Sequence, residues 1–182
     1  MNKDELRKKY LIIRKNIQNK KEKSDKIFNL LINNKLFINS NIIGIYYSLI
    51  DEVSTKRLID YSKRIGKTIL LPRVNNLDLE FISIDENTIY KKSNLGIIEP
   101  INGKIYDGSN IDLLIIPGIA FDKYCNRIGF GKGYYDRYLN KYKISNIAIC
   151  FEDQITNEII KSDKYDIKVD MIQTETTTYH KK

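Results

Sequence analysis

Three glycines alternate with other residues in one short stretch of the chain, and basic residues are interleaved with them. Gly129, Gly131 and Gly133 occupy every second position, with Lys132 between the last two and Arg127 two positions before the first. A backbone without Cβ atoms can adopt positive φ and approach a ligand closely. Cations beside exposed backbone N–H groups suit a polyphosphate. The spacing therefore predicts a loop that binds a phosphate-bearing anion.

The segments on either side of this loop indicate where it lies in the fold. The apolar run at residues 112–121 is typical of a buried strand that stops at Pro117-Gly118, and the tyrosine-rich run after Gly133 is typical of a helix. Strand, glycine-rich basic loop and helix in this order form a phosphate site in α/β proteins. The alternative is a tight turn without a ligand; the glycines, the cations and Asp136 favour the anion site.

Two familiar phosphate motifs do not match. A Walker A loop requires Ser or Thr after Gly-Lys, where this chain has Gly133, and a first glycine where it has Asn126. The dinucleotide fingerprint requires its third glycine one residue later. The pattern alone thus indicates an anion site without identifying the ligand.

Four further side chains have both a structural and a chemical interpretation. Asp136 lies about one turn into the predicted helix, where it either complements the helix dipole or serves a nucleotide-bound Mg²⁺. Asp170 precedes the last predicted strand and is either a second oxygen ligand or an ordinary loop acid. Glu52 and Tyr47 lie near the carboxyl end of the first core strand. They either cap a helix and fill the core, or face a ligand crevice and stack on a ring.

Hydrophobic periodicity predicts the elements that position these residues. Helices are expected at residues 3–20, from Ser24 or Asp25 to Asn33-Asn34, from Ser54-Thr55 to Gly66, after Gly133, and over Thr156–Lys161. Strands are expected at Asn41–Leu49, Thr68–Val74, Leu79–Ile84, Leu113–Pro117, Asn146–Phe151 and Met171–Thr176. Residues 85–110 are expected to be mostly loop. The alternation predicts an α/β fold with a mostly parallel central sheet, helices on both faces and a nucleotide site at the strand carboxyl ends.

Length and composition fit one domain over residues 1–182, with a C-terminal tail of about residues 177–182 expected to be disordered. The longest apolar runs are far shorter than a membrane span, and no signal peptide is visible. Two cysteines predict a reduced, cytoplasmic setting. The net charge is +8, concentrated in residues 1–26, which hold ten Lys/Arg and four Asp/Glu. This charge favours an anionic partner or, equally, a solubilising surface.

The only histidine, His180, lies in the polar tail, which argues against a Ser-His-Asp or Cys-His relay and against a zinc site. Lys, Arg, Tyr and carboxylates remain, and these suit phosphate chemistry with Mg²⁺. A nucleic-acid-binding module that uses the basic first helix is an alternative, but no known single-strand-binding motif supports it.

Several motifs of this chain, taken together, resemble the 5-formyltetrahydrofolate cyclo-ligase family, also called 5,10-methenyltetrahydrofolate synthetases. They occur in family order and cover nearly the whole chain, and the glycine-rich block is the most specific. They are Lys3-Asp-Glu-Leu-Arg7, Ser48-Leu-Ile-Asp-Glu-Val-Ser-Thr55, Leu71-Pro72-Arg73, Glu99-Pro100, Pro117-Gly-Ile-Ala-Phe-Asp122, Arg127-Ile-Gly-Phe-Gly-Lys-Gly-Tyr-Tyr-Asp-Arg137, Ala148-Ile-Cys-Phe-Glu-Asp-Gln154 and Asp166-Ile-Lys-Val-Asp170.

The resemblance implies that the protein uses MgATP to convert 5-formyltetrahydrofolate, with or without a polyglutamate tail, into 5,10-methenyltetrahydrofolate. Lys132 and Arg127 are the implied catalytic cations. We also expect a monomer without nucleic-acid or membrane partners. The implied ATP-binding residues are Lys3, Asp4, Glu5, Leu6, Arg7, Arg127, Ile128, Gly129, Phe130, Gly131, Lys132, Gly133, Tyr134 and Tyr135. The implied folate-binding residues are Tyr47, Glu52 and Phe130 to Tyr134, and the implied magnesium ligands are Asp136 and Asp170.

The chain departs from the family pattern at two positions. Cys125 stands where the family usually has glycine, so the turn there is expected to be strained or reshaped. Tyr165 stands where a histidine often precedes Asp166. A folate-binding or regulatory protein that kept the fold and lost catalysis is a third hypothesis.

Overall fold

Five α-helices and thirteen strands make up the fold, and the computed structural model describes residues 1–182. The helices are α1 (Lys3–Asn16), α2 (Lys20–Ile32), α3 (Lys35–Asn39), α4 (Lys56–Arg64) and α5 (Tyr134–Tyr142). The strands are β1 (Ile42–Ile45), β2 (Thr68–Asn75), β3 (Asp78–Ser83), β4 (Tyr90–Lys92), β5 (Ile98–Pro100), β6 (Ile105–Tyr106), β7 (Leu113–Ile116), β8 (Ala120–Asp122), β9 (Arg127–Ile128), β10 (Asn146–Ile149), β11 (Ile155–Thr156), β12 (Met171–Gln173) and β13 (Thr178–His180).

Eight strands form one sheet in the order β13-β12-β10-β7-β1-β2-β3-β6. The five central strands, from β12 to β2, are parallel, whereas β13, β3 and β6 pair antiparallel at the edges. The connections between the parallel strands return the chain to the same end of the sheet, as parallel pairing requires, and two of them contain the helices α4 and α5. The predicted α/β fold with a mostly parallel sheet is therefore confirmed.

Both faces of the sheet are covered, because successive side chains of a strand point to opposite faces. In β7, Leu113 and Ile115 join a core cluster that includes residues of α2, α3 and α4. Leu114 and Ile116 join a second cluster that includes residues of α5. A strand that is buried on both faces appears in the sequence as a continuous apolar run, which is why residues 113–116 were recognisable as a strand.

Strand β1 lies where the strand order reverses, because β2 pairs with one of its sides and β7 with the other. Open α/β sheets bind ligands beyond the carboxyl ends of the strands at such a switch point. The residues that follow these two strands, Tyr46 to Ser48 and Pro117-Gly118, border this crevice. The topology thus favours a ligand site between the ends of β1 and β7.

Helix α1 packs near the same end of the fold through a third core cluster. Leu6 and Tyr10, four residues apart on one helix face, are buried with Ala120 of β8 and Ile128 of β9. The basic first helix therefore lies against the two strands that lead into the glycine-rich loop. No helix of the protein has the length and apolar character that a membrane crossing needs.

Some elements differ from the sequence-based expectations. The second helix begins earlier, at Lys20, and the short α3 was not predicted. Residues 85–110, expected to be mostly loop, contain β4, β5 and β6. These strands are only two or three residues long, too short for a period of two to be visible in the sequence.

Two expectations near the C-terminus are corrected. The predicted helix over Thr156–Lys161 is absent, because Ile155 and Thr156 pair with β8 and the Ile160 N–H donates to Asp122 Oδ2 at 2.9 Å. The tail expected to be disordered contains β13, which pairs antiparallel with β12. Long-range pairing fixes both segments, and local sequence patterns do not report it.

Candidate active site

Arg127 connects the carboxyl end of β7 with the start of α5. Its Nη1 donates to the Pro117 carbonyl at 3.3 Å, and its Nη2 lies 3.0 Å from Asp136 Oδ2. The guanidinium also lies over the Tyr135 ring, 5.7 Å from the centroid. The side chain is only 6% exposed, so these contacts fix its orientation at the switch point. Sequence reasoning selected Arg127 and Asp136, and the structure brings them together.

The glycine-rich loop between β9 and α5 needs glycine at two of its three positions. Gly131 has φ +90° and Gly133 has φ +68°, which L residues with a Cβ rarely adopt. A Cβ on Gly133 would also lie 2.7 Å from Arg137 Nη1. The loop places Lys132 in solvent, where it forms no salt bridge. Lys132 is therefore a cation available to a bound anion.

Arg137 holds this loop in place, a role that sequence reasoning did not assign. Its Nη1 donates to the Lys132 carbonyl at 2.8 Å and its Nη2 to the Leu77 carbonyl at 2.6 Å. Its guanidinium lies 5.4 Å from the centroid of the Tyr134 ring. The loop is thus tied to the turn between β2 and β3, and the planar fork of an arginine suits two carbonyl acceptors.

The start of α1 meets the same loop through Arg7. Arg7 Nε donates to the Gly129 carbonyl at 2.9 Å, and its guanidinium lies 3.5 Å from the position that a Cβ on Gly131 would take. Asp4 pairs with Arg7, and Lys3 pairs with Asp163 and Asp166.

The other two residues of the predicted N-terminal segment have structural roles. Glu5 completes a capping box with Asn2, in which each side chain bonds the other's backbone N–H. Leu6 is buried in the core cluster of α1. Within the segment Lys3 to Arg7, Arg7 is therefore the residue in contact with the glycine-rich loop.

Glu52 lies in the loop after β1 and is almost fully buried. Its Oε2 accepts from the Leu49 N–H at 2.8 Å, and its Oε1 accepts from Arg14 Nη1 at 3.3 Å. Burial raises the pKa of the Glu52 carboxyl, and the Leu49 hydrogen bond and the nearby Arg14 oppose that rise. A carboxylate held in so few contacts is a strong acceptor for N–H donors of a ligand.

Tyr47, at the end of the same strand, is partly buried, and Lys56 Nζ lies 5.8 Å from its ring centroid. The loop that follows is fixed by reciprocal bonds: the Ser48 N–H donates to Thr55 Oγ1 and the Thr55 N–H donates to Ser48 Oγ, each at 3.1 Å. The expected side-chain cap at Thr55 is absent, because its hydroxyl donates to the Tyr46 carbonyl instead. The loop that carries Glu52 is therefore rigidly joined to β1.

Arg14 is a site residue that sequence reasoning missed. It is 2% exposed, although arginine is almost never fully buried unless paired. It lies on the buried face of α1 with Leu6 and Tyr10, four residues after Tyr10. The signal that could have identified Arg14 is an arginine at an apolar position of an amphipathic helix.

Asp170 is not brought together with Asp136. It precedes β12, at the amino-terminal edge of the sheet, where its Oδ2 accepts from the Asn146 N–H and from Asn146 Nδ2, both at 3.1 Å. Its Oδ1 lies 3.5 Å from Lys181 Nζ. No group of three or more His, Cys, Asp or Glu side chains is arranged to hold a metal ion. The two predicted magnesium ligands thus occupy different environments.

The two departures from the family pattern have different consequences. Cys125 adopts φ +66°, the left-handed conformation that favours glycine, and is fully buried. Burial, with a smaller contribution from Asp122, raises the pKa of its thiol to about 11, so the thiol stays protonated at neutral pH. Tyr165 is 71% exposed and lies beside Asp166, the partner of Lys3.

Comparison with known proteins decides the family. Residues 1–175 match the model of the 5-formyltetrahydrofolate cyclo-ligase family. The chain belongs to this family. The 5-formyltetrahydrofolate cyclo-ligase of Mus musculus is 34% identical over 152 residues, which cover 75% of this chain and 74% of the relative. A probable 5-formyltetrahydrofolate cyclo-ligase of Schizosaccharomyces pombe is 35% identical over 141 residues, covering 68% and 69%.

Two solved structures of cyclo-ligase family proteins share the fold. The NMR structure of the 5,10-methenyltetrahydrofolate synthetase from Aquifex aeolicus superposes with a TM-score of 0.87 at 30% identity, covering 99% of this chain and 93% of that one. A 5,10-methenyltetrahydrofolate synthetase from Mycoplasma pneumoniae superposes with a TM-score of 0.78 at 25% identity, covering 96% and 99%. The superposed regions cover nearly the whole of this chain.

Proposed function

We propose that this protein is a 5-formyltetrahydrofolate cyclo-ligase, which converts 5-formyltetrahydrofolate and ATP into 5,10-methenyltetrahydrofolate, ADP and phosphate. The observation that carries the proposal is the convergence of Arg7, Arg127 and Lys132 on one glycine-rich loop at the switch point, in a chain of this family. Three cations around a loop with left-handed glycines suit a triphosphate.

The proposed reaction has two steps. The formyl oxygen attacks the γ-phosphorus of ATP, an O–P bond forms, and the P–O bond to ADP breaks. N10 then attacks the activated formyl carbon and loses its proton, a C–N bond forms, and the C–O bond to phosphate breaks. An amide oxygen is a weak nucleophile, so the protein accelerates the first step by aligning the reactants and by neutralising phosphate charge.

Each cation has a proposed part in that step. Lys132, exposed and without a salt-bridge partner, neutralises charge on the transferred phosphoryl group. Arg127 is held by Pro117 and Asp136 and contributes positive charge beside the phosphate oxygens. Arg7 supports the loop at Gly129 and adds positive charge beside Gly131. No histidine base is needed in this scheme.

For magnesium, the donor set fits an ion that is bound chiefly by the nucleotide. Mg²⁺ commonly takes one or two protein carboxylates and completes its shell with phosphate oxygens and water. Asp136 is 22% exposed and lies at the start of α5 beside the loop, so it suits this role, directly or through water. When bound, Mg²⁺ neutralises phosphate charge. Asp170 is left out of this proposal because its carboxylate ties two strands together.

The folate side of the proposal uses Glu52 and Tyr47. The buried Glu52 carboxylate accepts hydrogen bonds from N–H groups of the pterin, and Tyr47 and Phe130 provide aromatic surface; Phe130 is 49% exposed. The basic surplus of the chain suits the glutamate tail of the folate. We propose a monomer in a reducing compartment such as the cytoplasm, which fits two buried, unpaired cysteines.

Ultraviolet absorbance tests the proposal directly. Purified protein with 5-formyltetrahydrofolate, ATP and Mg²⁺ is expected to form methenyltetrahydrofolate, and omission of any one of the three is expected to stop it. ADP and methenyltetrahydrofolate are expected in a one-to-one ratio. Product formation that continues without ATP contradicts the mechanism, and folate binding without turnover favours a binding protein that lost catalysis.

A further inference from the structure

We propose that Arg14 is a positioning residue that couples the folate side of the site to the nucleotide loop. The inference rests on the proposed function, because it takes Glu52 as a folate ligand and Phe130 as part of the ATP-binding loop. It adds a residue and a coupling to that function.

Three segments that are distant in the sequence meet at Arg14. Its Nε donates to Asp51 Oδ2 at 3.0 Å and its Nη1 to Glu52 Oε1 at 3.3 Å. Its guanidinium lies 5.5 Å from the centroid of the Phe130 ring, within the range of a cation–π contact. One side chain of α1 thus contacts the loop after β1 and the glycine-rich loop at once.

Packing alone does not account for an arginine at this position. Desolvating a guanidinium and two carboxylates is costly, and replacing a buried ion network with apolar side chains is often neutral or stabilising. Leu6 and Tyr10 show that the same helix face accepts apolar residues. The charge at Arg14 is therefore better explained by the state and orientation that it imposes on Glu52.

The groups around Glu52 make its charge depend on Arg14. Asp51 precedes it in the same loop, and Tyr46 at the end of β1 and Tyr135 of α5 interact electrostatically with its carboxylate. Among these neighbours, Arg14 supplies the cation that pairs with the carboxylate. Without it, two acids remain side by side in a buried loop, and Glu52 takes up a proton at higher pH.

Steady-state kinetics with both substrates varied test the proposal. Arg14→Met keeps an unbranched side chain and removes the charge and donors, and Arg14→Lys keeps the charge without the planar fork. For Arg14→Met we expect the KM for 5-formyltetrahydrofolate to rise on the order of tenfold or more, as for loss of a hydrogen bond between charged groups. The acidic limb of its kcat/KM profile is expected to move to higher pH. Arg14→Lys is expected to have a pH profile close to that of the parent, but a KM for 5-formyltetrahydrofolate that is still above the parent value.

A double-mutant cycle with Glu52→Gln separates positioning from general destabilisation. If Arg14 acts through Glu52, Arg14→Met in the Glu52→Gln background is expected to change the folate KM much less than in the parent. Arg57→Gln is the control, because Arg57 is a surface arginine that pairs with Asp25, and it is expected to leave both KM values unchanged. Thermal unfolding checks that each variant is folded.

The proposal is overturned if the effects of Arg14→Met and Glu52→Gln on the folate KM are independent and multiply in the double variant. It is also overturned if Arg14→Met folds and keeps the acidic limb of the parent's kcat/KM profile. If Arg14→Met does not fold, Arg14→Lys serves as the test. The proposal is then overturned if Arg14→Lys has the same pH profile of kcat/KM and the same folate KM as the parent. Failure of the proposed function is recognised separately, because the parent protein itself then forms no methenyltetrahydrofolate.

Discussion

The two ends of the parallel strands can be compared residue by residue. At the amino-terminal edge, Asp112 precedes β7 and Asp170 precedes β12, and each accepts a backbone N–H from the first residue of the neighbouring strand: Ile42 for Asp112 and Asn146 for Asp170. Beyond the carboxyl-terminal edge, Asp136 instead bonds the Arg127 side chain and the Ile167 N–H in the crevice region.

The comparison shows that the two edges of the sheet offer different hydrogen-bond partners to an aspartate. At the amino-terminal edge the free groups are strand N–H donors, and a carboxylate satisfies them and fixes the register. Beyond the carboxyl-terminal edge, loops converge at the switch point, and the helix α5 begins there with its positive dipole end. Cations and an anion-binding loop suit that edge.

The largest effect is expected from removing the free cation of the crevice. Lys132→Ala is expected to lower kcat/KM for ATP about 100- to 1,000-fold, as for loss of one preorganised charge-stabilising donor. Its free energy of unfolding is expected to stay within about 0.5 kcal/mol of the parent, because the side chain is exposed and unpaired. Steady-state kinetics and denaturant titration measure the two quantities. Lys123→Ala, an exposed lysine of the preceding turn, is the control, and an equal loss of activity there contradicts the assignment.

A second test compares substitutions of the aspartates at the two edges of the sheet. Asp136→Asn is expected to weaken the apparent Mg²⁺ affinity about 10- to 100-fold in a titration of the rate, as for loss of a group close to a metal. Asp170→Ala and Asp112→Ala are expected to keep the Mg²⁺ dependence of the parent. Each instead loses about 1–3 kcal/mol of unfolding free energy, because a strand N–H loses its acceptor. If Asp170→Ala needs a higher Mg²⁺ concentration than the parent to reach the same fraction of its maximal rate, Asp170 is a magnesium ligand after all.

Glu52 allows a sharper comparison between stability and activity. Its pKa is raised in the folded protein, so the folded state takes up the proton first as the pH falls, and the buried charge lowers stability at neutral pH. Glu52→Gln is therefore expected to unfold at an equal or higher temperature than the parent at pH 7. The difference is expected to shrink as the pH falls from the raised pKa of the folded protein to the ordinary glutamate value of about 4.3. Its kcat/KM for the folate is expected to fall about tenfold. If Glu52→Gln unfolds at a lower temperature than the parent at pH 7, the predicted direction of the stability change is wrong.

The smallest effect is expected at Cys125. The left-handed conformation at position 125 costs a residue with a Cβ about 1–2 kcal/mol, and glycine does not have this cost. Glycine also removes a buried side chain, which lowers stability. The two terms oppose each other, so Cys125→Gly is expected to change the free energy of unfolding by less than about 1 kcal/mol. Cys125→Val, with a branched Cβ at positive φ, is expected to destabilise by more than 1 kcal/mol by the same argument. Denaturant unfolding of the two variants measures both values.

Much of the fold was predictable because its signals are local. The apolar run of β7 and the periodicity of α1 depend on neighbours in the sequence. The bounds of β7 were predicted to within one residue, and the start of α1 was predicted correctly, but α1 ends at Asn16, four residues before the predicted end. The glycine-rich loop was also predictable, because only glycine adopts the positive φ of Gly131 and Gly133 freely.

The partners of charged side chains were decided by the tertiary structure. Arg7 meets the Gly129 carbonyl 122 residues further along the chain, and Arg14 meets Asp51 across 37 residues. Asp136, near the start of a predicted helix, and Asp170, just before a predicted strand, were both candidate magnesium ligands in the sequence. The different contacts of the two carboxylates follow from the edge of the sheet near which each lies, and that position is set by long-range strand pairing, which no local pattern records.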